Sequence, residues 1–153
     1  MEPVFTAMGE AAGLAAHVAL RDGVPGREVN VAQVQHLIHE SGGKTIYLSD
    51  VERDSPHFRA AQYFGTRGYF HGLVDVANLQ HQPLGARYRA VYAFQEADLD
   101  QPITESLAKR WIAALDKPED RRAALSMPGL KPDGVVTRGV FLDRLYQLVG
   151  IGN

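Results

Sequence analysis

Apolar residues in this sequence recur at helical spacing behind residues that cap helices, and that pattern constrains the fold more than any other feature. Thr104 precedes Leu107, Ala108, Trp111, Ile112 and Leu115, which fall at i, i+1, i+4, i+5 and i+8. Thr137 precedes Val140, Phe141, Leu145, Leu148 and Val149, and Gly150 follows as a stop. Asn30 precedes Val31, Val34, Leu37 and Ile38, with Gln33 placed as in a capping box and Ser41-Gly42-Gly43 as the terminator. A Thr or Asn side chain satisfies backbone N–H groups left free in the first turn, while the 3.6-residue period gathers one apolar face. Pro118 starts a further short helix that runs to about Met127, its Asp116, Glu119 and Asp120 offsetting the helix dipole. Ser55 and Pro56 are placed as N-cap and N1 of another helix, which carries Phe58, Ala61 and Phe64 inward and ends near Gly68. Lys44–Leu48 (KTIYL) is the one short strand predicted. The fold class expected is therefore mainly α.

The segment Glu10–Arg21 (EAAGLAAHVALR) predicts a helix that is apolar nearly all round, with Gly23 as C-cap and Pro25-Gly26 as a turn. Such a helix belongs inside a larger body. Gly and Ala at its mouth let backbone come close to a bound group, and a helix N-terminus favours an electron-rich one. Plain buried packing accounts for the same composition.

The order Met8-Gly9-Glu10-Ala11-Ala12-Gly13, then Asp22-Gly23-Val24 and the Val31–Glu40 helix, resembles the last cofactor-proximal helices of FAD-dependent oxidoreductases of the two-dinucleotide-binding superfamily. The resemblance covers residues 3 to 48. It implies that residues 1–48 are the C-terminal piece of a truncated FAD-binding α/β domain. It also implies that Met8, Gly9, Glu10 and Ala11 approach the flavin, with FAD held only in the full-length enzyme. No G-x-G-x-x-G follows a strand in this sequence, so the pyrophosphate site is expected upstream, in the same polypeptide. By this reading Met1 is a cut inside a longer frame, any targeting signal lies upstream, and the chain alone is inactive.

Residues 49–153 carry a second pattern: Asp50-Val51, Phe58 to Phe64, Gly68-Tyr69-Phe70-His71-Gly72, Phe94 to Asp98 and Pro102-Ile103-Thr104. A partial second copy runs from Leu130 to Phe141, and the two capping threonines stand 33 residues apart. This resembles a degenerate surface-layer-homology-type helical module. Residues 73–93 intrude between its Gly72 and Phe94, and the Thr-Arg-Ala-Glu signature appears as Thr104-Glu105-Ser106-Leu107 and Thr137-Arg138-Gly139-Val140. The resemblance implies either an accessory cap on the oxidoreductase or a non-enzymatic module binding cell-wall glycan or protein.

Other chemistries find little support. The net charge is -2 with no basic run, which removes the electrostatic basis for nucleic acid as a partner. There is no cysteine, so disulfides and thiolate sites are excluded. The apolar stretch Ala11–Leu20 is interrupted by Gly13 and His17 and is too short to cross a bilayer, so no transmembrane segment is expected. His36-Leu37-Ile38-His39-Glu40 has the wrong order for a zincin and no third ligand, so no metal is expected and a solvated helix edge is. His57, His71 and His81 lack ligand spacing and are expected to be solvated or capping. Trp111, Phe141 and Tyr146 are expected in the core.

Overall fold

The computed structural model describes residues 2–73, 96–126 and 136–150. It is mainly helical, with six α-helices among the described residues: α1 (Glu2–Asp22), α2 (Val31–Glu40), α3 (Phe58–Gly65), α4 (Glu105–Ala113), α5 (Pro118–Ser126) and α6 (Arg138–Leu148). A single 3-10 turn, Gly26–Glu28, lies between α1 and α2. The expectations for Phe94, His81, Met127 and most of the second motif copy (Leu130–Val135) fall outside the described residues.

Capping follows the sequence closely. The side chains of Asn30, Thr104 and Thr137 accept from the backbone N–H groups of Ala32, Leu107 and Val140. The capping box at α2 does not close, because Arg21 of α1 takes the Gln33 side-chain oxygen. At the end of α1, Gly23 adopts φ 66° and Val24 N–H reaches back 3.0 Å to Ala19 carbonyl. That left-handed turn releases the chain toward α2.

Three sequence expectations need correction. Residues Lys44–Leu48 form an irregular segment bent at Thr45-Ile46, not a strand, and no strand occurs among the described residues. Their N–H groups pair with a side chain instead: Thr45 and Ile46 both donate to Gln62 Oε1, at 2.8 and 3.0 Å. A strand needs a neighbouring strand, and a helix stands where one would have to be. The third helix begins at Phe58 with His57 as N-cap, not at Ser55-Pro56; Ser55 Oγ accepts from His57 N–H at 3.3 Å in a preceding turn. It ends at Gly65, and the tight turn to Tyr69 uses Gly68 at φ 77°.

The core lies between α3, α4 and α6. Trp111, Phe64, Phe141, Leu142 and Leu145 are its largest closed side chains. Trp111 meets Phe70 edge-on and Phe141 at a tilt, and its Nε1 donates to Tyr69 carbonyl at 2.9 Å. Aromatic pairing and a satisfied indole make this a well-specified centre. Tyr146 lies at its border, edge-on to Tyr63. Val51 and Leu48 enter the same core from the segment between α2 and α3. The hairpin of α1 and α2 packs onto α3 through α2.

Candidate functional site

Helix α1 starts at Glu2, well before the Glu10 predicted, and runs without a break through Met8–Ala11. This changes what those residues can offer. Only the first four N–H groups of a helix are free, so the amides of Met8, Gly9, Glu10 and Ala11 are spent on carbonyls one turn earlier. Gly9 lies inside α1 and not at a helix mouth. A flavin pyrophosphate or ring held by free amides therefore does not fit at Met8–Ala11 in this conformation. What does fit is close approach: a Cβ built on Gly9 or Gly13 would meet nothing within 4 Å.

The two sides of α1 differ sharply. Toward α2, Val18 is buried, Leu14 is half-buried, Glu10 accepts from Ser41 Oγ at 2.9 Å and Arg21 binds Gln33. The outer side carries Val4, Phe5, Met8 and Leu20, each more than half exposed, around exposed Gly9, Ala12, Gly13 and Ala16. The helix expected to belong inside a larger body thus has one side without a cover among the described residues. Pro3–Asp22, with a mean hydropathy of 1.2, is also long and apolar enough to cross a membrane by length and composition alone. The sequence stretch considered for spanning, Ala11–Leu20, lacked the eight helical residues Pro3–Glu10 that the structure adds.

The second motif set comes together around a carboxylate. Both oxygens of Asp50 accept from Ala97 N–H at 3.0 Å, and Oδ2 also accepts from Asp98 N–H at 2.7 Å. Asp98 sits at φ 49° and accepts from Arg138 at 3.3 Å. The segment before Thr104 then pairs with residues on both sides of Thr137: Ile103 N–H donates to Val136 carbonyl, Arg138 N–H to Gln101 and Gly139 N–H to Leu99, all at 2.9 Å. The stretch leading to Thr104 thus meets Thr137 at one isolated antiparallel bridge, Pro102 with Thr137.

Beside this bridge, at the start of α4, a hollow of about 320 Å³ is lined by Gly72, Leu73, Thr104, Ser106, Leu107, Arg110 and Arg138. Arg138 Nε is buried and has no hydrogen-bond partner among the described residues. Arg110 stands where a Cβ on Gly72 would touch its guanidinium at 4.0 Å. The linear sequence gave no warning of this grouping, because Gly72, Arg110 and Arg138 come from three separate segments.

The histidines are less solvated than expected. His39 is buried at 2% exposure, with Nε2 2.7 Å from Thr45 Oγ1 and its ring edge-on to Phe58. Burial, reinforced by the positive groups His36, Arg67 and Arg59, pushes its pKa down to about 4. His36 Nδ1 lies 2.8 Å from the Tyr146 hydroxyl, whose own pKa burial raises to about 12. His57 Nδ1 lies 2.6 Å from Asp143, a carboxyl pushed up by burial and pulled back by the imidazole. The reason these were missed is separation: His57 and Asp143 are 86 residues apart, His36 and Tyr146 are 110 apart. His71 keeps to the surface, against Gly68. Among the described residues no group of three or more metal-ligating side chains converges.

Comparison with known proteins finds one family: the model of the FAD dependent oxidoreductase family matches residues 1–38. That stretch is α1, the turn after it and most of α2. No curated protein and no solved structure matches the chain.

Proposed function

We propose that this chain is the C-terminal part of an FAD-dependent oxidoreductase, in which the outer side of α1 forms part of the wall beside the flavin. The observation that carries this is a coincidence of position. The family match covers the one hairpin whose long helix has an apolar, small-residue side without a cover among the described residues. In this reading Met8, Gly9, Glu10 and Ala11 act through closeness of backbone at Gly9, not through free amides. The flavin, when bound, supplies hydride chemistry; these residues shape and dry its surroundings. The nucleotide-binding turn comes from the rest of the polypeptide, and residues 49–153 are a helical accessory part docked on α2.

Two experiments test it. Sequencing the transcript upstream of codon 1 is expected to show a continuous frame encoding a strand followed by G-x-G-x-x-G; an in-frame stop directly before it sinks the proposal. In the longer polypeptide, Gly9→Val is expected to lower flavin occupancy, because a branched side chain fills the space the cofactor would approach. Unchanged flavin content would assign Gly9 to packing alone.

A second reading, a non-enzymatic binding module of surface-layer type, is favoured by the hollow at Thr104, Ser106, Arg110 and Arg138. Its neutral hydroxyls and two guanidinium groups suit a glycan. Co-sedimentation of the chain with purified cell-wall polysaccharide, abolished by Arg110→Ala, is the outcome it requires; no co-sedimentation removes it.

A further inference from the structure

The α1–α2 hairpin is joined to the rest of the described chain along one seam, and that seam is built on histidine. Helix α2 packs on α1 and on α3. Across the α2–α3 side stand His39 against Phe58, Glu40 bonded by Arg59 at 3.3 Å, and Gln35 bonded by Arg67 at 3.2 Å. Toward α6 the tie is His36 with Tyr146. The loop after α2 is tied by Thr45 and Ile46 to Gln62.

We propose that this seam is an acid-sensitive latch, in which His39 must be neutral for the α1–α2 hairpin to stay docked on α3. The geometry leaves a proton on the second ring nitrogen nowhere to go. His39 has one polar partner, Thr45 Oγ1, and its Nδ1 is buried with no acceptor among the described residues. The ring faces Phe58, and among the described residues no carboxylate is free to pair with it. Glu40 is shared between Arg59 and His36 Nε2, the latter at 3.5 Å. The other groups around the seam are positive or neutral: Arg59 and Tyr63 of α3, Arg67 beyond it, Tyr146 of α6, and Lys44, which donates to Val51 carbonyl at 3.4 Å. Glu10 of α1 is turned to Ser41. An imidazolium here is a buried, unpaired charge beside cations, which the fold relieves by opening.

The direction follows from proton binding. Docked, His39 holds its proton only near pH 4; released into water it titrates at the usual value of about 6.5. The open form therefore binds more protons below pH 6.5. Docking is at full strength above that pH and weakens as pH falls toward 4. Between pH 7.5 and 5.5 the opening equilibrium shifts about tenfold. The latch does not depend on what covers α1, so it stands or falls apart from the oxidoreductase reading.

Hydrogen exchange on the full chain tests it, with intrinsic rates corrected for pH. The expected result is about a tenfold loss of protection in Leu14–Leu20 and Val34–Glu40 between pH 7.5 and 5.5, while Leu107–Ile112 and Phe141–Leu145 hold theirs. His39→Met is expected to remove that pH dependence, and His36→Gln to keep it. Equal loss in all helices, no loss, or a response abolished by His36→Gln instead overturns the proposal. Should His39→Met not fold, the NMR resonance of the His39 ring in the wild-type chain decides: it must stay in its neutral position at pH 5.5. A ring that titrates near 6.5 in the docked state overturns the latch.

Discussion

The imidazole of His57 lies against Gly139, so close that a Cβ at Gly139 would overlap the ring. The N-cap of α3 is thereby keyed to the first turn of α6, and Asp143 one turn further on holds the same ring through Nδ1. This places a glycine inside a helix, where it is otherwise unfavourable.

Gly139→Ala is expected to destabilise the chain by about 1–3 kcal/mol, since the ring must move and its bond to Asp143 with it. Gly9→Ala, on the open side of α1, is expected to add up to about 1 kcal/mol, because alanine is the better helix former and nothing is in its way. Urea unfolding of the two variants measures both. Equal effects would show that His57 yields freely.

Asp50→Ala leaves the N–H groups of Ala97 and Asp98 without their acceptor and is expected to cost about 1–3 kcal/mol. Asp50→Asn should recover part of this, since an amide oxygen still accepts. Thermal melts that place both variants at wild-type stability would show that the carboxylate does not hold that loop.

Shortening the chain from its N-terminus locates the true edge of the helical part. Leu48 is 2% exposed within the core, and Gln62, fully buried, uses Thr45 and Ile46 as its donors. A fragment 50–153 loses all three and is expected to be about 2–5 kcal/mol less stable than 41–153, from the emptied leucine site and the unsatisfied amide oxygen. Chemical denaturation of both fragments decides it. If 50–153 matches 41–153, residues 41–49 belong to the hairpin and not to the core.

The isolated chain 1–153 is expected to stay colourless when mixed with FAD, because Met8–Ala11 have no free amides and no glycine-rich phosphate turn occurs in the sequence. Equilibrium dialysis against FAD reads this directly. Binding with a micromolar dissociation constant would show that the chain holds a flavin site of its own.

The sequence by itself determined the helices and most of their ends. Asn30, Thr104, Thr137 and Gly23 act within a turn of their own position, so neighbouring residues carry all the information they need. It also marked Trp111 and Phe141 as core, because one apolar stripe per helix has to face something. Tertiary structure alone decided the rest. KTIYL has strand composition, yet a strand requires a partner edge, and Gln62 of α3 took those N–H groups instead. The start of α1 is a different case: Met8–Ala11 read as a helix mouth, but the exposed residues Pro3–Ala7 before them are helical too, a local extension that no packing imposes. His39 read as part of a solvated helix edge, and His57 as solvated or capping, because a histidine's burial depends on which distant group it meets. Those groups, Phe58 and Asp143, are brought to them only when α2, α3 and α6 pack together.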